Sequence, residues 1–103
     1  MKTKAKKSTN APKERPVVVC TSHRGVFFGY ATATDGDPIR LARSRMCVYW
    51  SADVKGVLGL AAGGPTAGCR IGPAVPLIEL RGITAVIECS ESAVAAWERG
   101  PWA

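Results

Sequence analysis

The sequence has 103 residues, enough for one domain and too few for two, so a single modest core is expected. Hydrophobic residues make up 47% of it, with 11 Gly and 7 Pro, a turn-rich composition that excludes a coiled coil and a wholly disordered chain. The net charge of +6 is unevenly placed: residues 1–15 hold six Lys or Arg against one Glu, a net +5, whereas residues 16–103 hold eight against seven, a net +1.

Residues 1–15 contain no aromatic side chain and almost no aliphatic one. Burial cannot offset the entropy of ordering such a segment, so it is expected to be a disordered basic tail, with one strand-rich domain over residues 16–103. The tail suits a solubilising role, or an arm that binds phosphates of nucleic acid by charge alone. No apolar stretch with a small-residue cleavage site follows it, which argues against a secretory signal. The longest nearly uncharged stretch, Val57 to Cys69, is too short for a membrane span, which needs about twenty apolar residues.

Val17–Cys20 is a short β-rich run ended by the polar T-S-H-R-G. Val26–Thr32 resumes it, and Asp35, Gly36, Asp37 and Pro38 supply the turn of a hairpin into Ile39. Ile39–Trp50 reads as one long strand. Uninterrupted alternation would set Leu41, Arg43, Arg45, Cys47 and Tyr49 on one side and Arg40, Ala42, Ser44, Met46, Val48 and Trp50 on the other. Arg43 and Arg45 would then stand side by side, about 6.6 Å apart, as an anion clamp or as two solvated or ion-paired arginines.

Asp53 is a candidate N-cap for a short helix within Ser51–Ala62, weakened by Gly56 and Gly59. The Gly- and Pro-rich loop that follows ends on Cys69 and Arg70 and lacks the Lys-Ser/Thr pair of a phosphate-binding P-loop. Pro76–Leu80 and Ile83–Cys89 are two further strands, and the intervening Arg81-Gly82 suggests a tight hairpin. Ser90 caps a final helix, Glu91–Arg99, with Gly100-Pro101 as its stop and Trp97 on its apolar side as a core or interface anchor. The fold class is therefore α+β: a mostly antiparallel sheet of about five strands, a short central helix and a C-terminal helix.

Cys20, Cys47, Cys69 and Cys89 stand singly with no C-x-x-C pair. In a reducing compartment they are read as free thiols and not as a zinc site; if they did pair, three connectivities would be open. The one histidine, His23, has no identifiable catalytic partner, and its neighbours Ser22 and Cys20 form no evident nucleophile-base pair. Arg24, Arg43, Arg45, Arg70 and Arg81, with Tyr30, Tyr49 and Trp50, form a better inventory for holding a phosphate-rich ligand than for cleaving one. No catalytic residue, cofactor or metal is expected.

Several segments resemble a family. H-R-G-V-F-F-G at 23–29, S-R-M-C-V-Y-W at 44–50, G-L-A at 59–61, G-C-R-I at 68–71 and E-C-S-E-S-A at 88–93 are similar to a small phage-encoded group, the Thoeris anti-defence proteins. The resemblance spans about residues 17–100 and implies an oligomeric sponge in the host bacterial cytoplasm, one that sequesters cyclic ADP-ribose isomers, or cyclic oligonucleotides, without cleaving them. It implies ligand contacts from Arg45 and Arg70 first, then His23, Arg24 and Gly25, beside the Arg43, Tyr49 and Trp50 already singled out. The alternative is a phage structural or interaction protein whose basic tail binds nucleic acid without sequence preference.

Overall fold

The computed structural model describes residues 14–22 and 25–99, so most of the basic segment, together with His23 and Arg24, lies outside the described residues. The β-branched and aromatic runs read from the sequence become strands β1 (Arg15–Thr21), β2 (Val26–Ala31) and β3 (Ile39–Tyr49). They are followed by helix α1 (Gly56–Ala62), strands β4 (Arg70–Ile71), β5 (Val75–Leu80) and β6 (Ile83–Glu88), and helix α2 (Glu91–Arg99). All strand pairings are antiparallel. The architecture is thus α+β, with a short central helix and a C-terminal one. Arg15, assigned to the tail by its charge, is the first residue of β1.

The sheet runs β4-β3-β2-β1-β6, and β5 also pairs with β3, along the Ile39–Ser44 half that β4 leaves free. The expected hairpin between β5 and β6 does not form: β5 pairs with β3 and β6 with β1, so two strands adjacent in the chain occupy opposite edges of the sheet. Only Arg81 and Gly82 join them, which forces the sheet to curl until its edges meet at that corner. Gly82 turns the corner with φ +71°, and one carboxylate oxygen of Asp37 accepts from the amides of Gly82 and Ile83 at 3.1 and 3.2 Å. Arg-Gly marks a turn in either case; what the pair cannot specify is whether the flanking strands rejoin.

Curling divides the interior in two. Val17, Val19, Ala31, Ile39, Leu41 and Leu80 are buried on the inner side of the sheet. Val18, Phe28, Cys47 and Ile71 pack on the other side under α1 and α2, with Leu60, Ala61, Ala93 and Trp97 from the helices. Trp97 is the keystone of this second layer: its ring stacks on Phe28 with centroids 5.1 Å apart, and Nε1 donates to the Leu60 carbonyl at 3.0 Å. Ser90 caps α2 as expected, its hydroxyl accepting from the Ala93 amide at 3.1 Å while donating to the Ala62 carbonyl.

The helix-start expectation at Asp53 needs correction. Ala52–Val54 form a 3-10 turn, Lys55 takes a left-handed conformation at φ 72°, and α1 begins only at Gly56. Asp53 sits inside that turn and accepts from the hydroxyls of Ser51 and Thr66, so it ties the turn to the Gly-rich loop. Gly59 allows the tight fold-back, because a β-carbon there would fall 1.6 Å from the Val54 carbonyl oxygen.

Candidate functional site

β3 carries most of the residues that bear on function, and its geometry departs from simple alternation. Gly29 of β2 faces two residues of β3, because Phe28 pairs with Arg45 and Tyr30 with Ala42. The extra residue is a β-bulge, with Arg43 at φ 50°. The expectation that Leu41 and Cys47 share a side is therefore corrected: Leu41 enters the inner cluster and Cys47 the helix-side one, since one inserted residue reverses the side taken by the side chains that follow, as far as the second irregularity after Cys47.

Arg43 and Arg45 do not act as a pair. Arg43 Nη2 donates to Glu14 at 2.7 Å, and its guanidinium lies 4.3 Å from the centroid of the Tyr30 ring. The Glu14 hydrogen bond raises its pKa. Tyr30 in turn donates to Glu98. Arg45, half-buried, donates through Nε to the Gly72 carbonyl at 2.7 Å and through Nη1 to the Trp97 carbonyl at 2.9 Å. Each guanidinium is thus occupied by its own protein partners, and the anion clamp read from their spacing is not assembled.

At the far end of β3 the picture differs. Tyr49 is the register partner of Arg70 on β4, with an irregularity between Cys47 and Tyr49. Ile71 belongs to the helix-side cluster, so its strand neighbour Arg70 projects away from the helices, and Tyr49, opposite it, shares that side. Tyr49 is 53% exposed and Arg70 is exposed. Trp50, half-buried, packs against the helix-side cluster next to this rim. Gly25 is buried in the β1–β2 turn, where its amide donates to the Thr21 hydroxyl at 3.1 Å; His23 and Arg24 lie outside the described residues.

The side of the sheet away from the helices holds an apolar groove of about 290 Å³, close to the roughly 300 Å³ at which small-molecule sites begin. Phe27 and Ile78 form its floor, Met46, Val48 and Val75 its sides, and Gly72 and Pro73, between β4 and β5, one wall. Ser44 also lines it, but its hydroxyl is committed to the Phe28 carbonyl at 2.9 Å. Met46, Val48 and Val75 are among the most exposed large apolar side chains described, and Val48 is 63% exposed. The sequence had marked Met46 and Val48 as cofacial. It gave no signal that neither described helix covers them.

A second hollow, about 370 Å³, lies between the 3-10 turn and the Gly63–Thr66 loop, bordered by Asp53, Lys55 and Thr66. Its polar groups mostly satisfy one another: Ser51 and Thr66 hydroxyls both donate to Asp53, whose carboxyl is held below its usual range first by the Ser51 bond, and both approach the buried Cys69 thiol. All four cysteines are free. Burial pushes the Cys89 thiol up to about 12 and that of Cys47 to about 11, the opposite of what an activated nucleophile needs.

Of the eight residues singled out, the fold thus joins Tyr49, Arg70 and, at their margin, Trp50, and gives Arg43 and Arg45 to other contacts. No curated protein and no solved structure matches the sequence. A profile built for a domain of unknown function, DUF6948, matches residues 14–97, from the residue before β1 to Trp97 of α2, and the chain belongs to that family.

Proposed function

We propose that the domain is a binding module that holds a ring-bearing anion of the nucleotide class and releases it unchanged. The observation that carries this reading is that the apolar groove is lined by Val48 and Gly72, while the exposed, register-paired Tyr49 and Arg70 stand directly after Val48 and just ahead of Gly72 in the chain. A flat ring fits against Met46, Val48 and Pro73, the Tyr49 ring offers a second stacking face, and the Arg70 guanidinium supplies donors for a phosphate. Because the one hydroxyl in the groove is already bonded, recognition is by the face of the ring and not by its hydrogen-bonding edge, so discrimination among bases is weak. The resemblance to the Thoeris anti-defence proteins makes cyclic ADP-ribose isomers the first ligands to try, in the role of a phage-encoded sponge for a host immune signal.

Calorimetric titration with cyclic ADP-ribose isomers and cyclic dinucleotides tests this. Saturable binding should survive removal of residues 1–13, the ligand should be recovered intact, and Arg70→Ala should weaken binding by at least about tenfold, the worth of one charged hydrogen bond. A second reading is favoured by the charge distribution, since most of the net positive charge lies in residues 1–15. In it the domain is an assembly module and the basic segment binds nucleic acid. That reading predicts salt-sensitive binding to any nucleic acid, lost when residues 1–13 are removed and indifferent to Arg70→Ala.

A further inference from the structure

The groove wall formed by Gly72 and Pro73 belongs to no strand, and Pro73 has no amide hydrogen to contribute. Two backbone bonds hold Gly72: its amide donates to the Met46 carbonyl at 2.9 Å, and its carbonyl accepts from Arg45 Nε at 2.7 Å. Arg45 is itself fixed by the Trp97 carbonyl. That carbonyl lies in the last turn of α2, where helical acceptors lack an intrahelical donor, and the residue four positions on, Pro101, has no N–H to give. A cation at this end also suits the helix dipole. The planar fork of arginine places both donors at once, whereas lysine carries a single point of attachment.

We propose that Arg45 is the positioning residue of the groove: it does not touch the ligand, but sets the Gly72–Pro73 wall by tying it to the end of α2. This rests on the groove being the ligand site, as read above, and separates Arg45 from Arg70, which meets the anion directly. The wall and the last turn of α2 then form one unit. A ligand that presses on Pro73 is felt at Trp97, and loosening α2 opens the groove.

Two measurements on the full chain test the assignment. Hydrogen exchange at the Gly72 amide reads the wall without any ligand, and Arg45→Lys, which keeps the charge but loses the fork, should speed it by at least about tenfold while β1 and β2 amides are unchanged. Titration with 1-anilinonaphthalene-8-sulfonate, an aromatic ring bearing one anionic group, reads the groove. Arg45→Lys should weaken the probe severalfold. Arg45→Gln, which removes the charge, should leave the salt dependence of binding as in the parent, whereas Arg70→Ala should flatten it. Unchanged Gly72 exchange in Arg45→Lys would overturn the proposal, as would a flattened salt dependence in Arg45→Gln, because Arg45 would then meet the anion itself. Gly72 exchange that responds as expected in a protein that binds the probe but no nucleotide would sustain the wall assignment and remove the nucleotide reading.

Discussion

The two sides of the curled sheet are built from similar residues and finished differently. On the helix side, aromatic rings interlock and polar groups at element ends find partners: Trp97 stacks on Phe28, its indole N–H meets the Leu60 carbonyl, and Arg45 closes the end of α2. On the other side, Val17, Val19, Ile39, Leu41 and Leu80 are closed off where β5 and β6 meet, yet the layer opens at the far end into the groove beside Met46, Val48 and Val75. One side is a completed core and the other a core left open at one end. An apolar surface that no described element covers is what the proposed binding reading requires, because covering it would gain stability and lose the ligand.

The sharpest way to break this comparison is to remove the keystone of the completed side. Trp97→Ala leaves a cavity among Phe28, Leu60 and Ala93 and strips the Leu60 carbonyl of its donor, so a loss of about 3–5 kcal/mol is expected in a urea or guanidinium unfolding curve. This is a large share of the stability of any small domain. A loss near 1 kcal/mol would mean that the helices contribute little and that the sheet stands by itself.

A smaller effect on the same side is set by pH. Burial first, and then the bond to Glu98, push the Tyr30 hydroxyl up to about 12 from an ordinary value near 10. The folded protein therefore holds this proton more tightly than the unfolded chain does. The resulting stabilisation is fully present below about pH 10 and is lost as pH rises toward 12. Tyr30→Phe should flatten the fall in melting temperature across that interval relative to the parent. Cys47 and Cys89, raised to about 11 and about 12, add a fall of the same sign that the substitution leaves in place. An identical profile for Tyr30→Phe would place the phenol in water and detach Glu98 from it.

Much of this arrangement was legible from residue pattern, and what was not has identifiable physical causes. β1, β2, β3 and α2 follow from β-branched runs, turn chemistry and the Ser90 cap, all of which act over a few residues. The bulge at Arg43 escaped because counting by twos assumes that each residue advances the strand by one side, and nothing in A-R-S announces an unpaired residue; across the ladder Gly29 leaves room for Leu41, whose β-carbon would stand 2.7 Å from one added there. β4 is two residues long, shorter than any periodicity can register. The candidate site is half legible: residue type alone singles out Arg70, Tyr49 and Trp50, but the pairing of Arg70 with Tyr49 depends on a long-range register that the sequence does not display. The groove escaped because cofacial Met46 and Val48 look the same in a strand whether or not something packs over them.

The smallest effect on stability is expected at Val48, and it bears most directly on the open side. With 63% of its surface exposed, the side chain contributes little to folding, and Val48→Thr preserves its β-branched shape while placing a hydroxyl in the groove. The unfolding free energy should change by less than about 0.5 kcal/mol, as for an ordinary surface position, while the affinity for an aromatic anion falls severalfold because the ring must then desolvate that hydroxyl. A loss of about 2 kcal/mol or more, growing with protein concentration, would show that Val48 is covered in solution by a second copy of the chain. The open side would then be a dimer core and not a ligand groove. Unchanged stability together with unchanged affinity would place the ring elsewhere and leave Arg70 without the apolar neighbour on which its assignment depends.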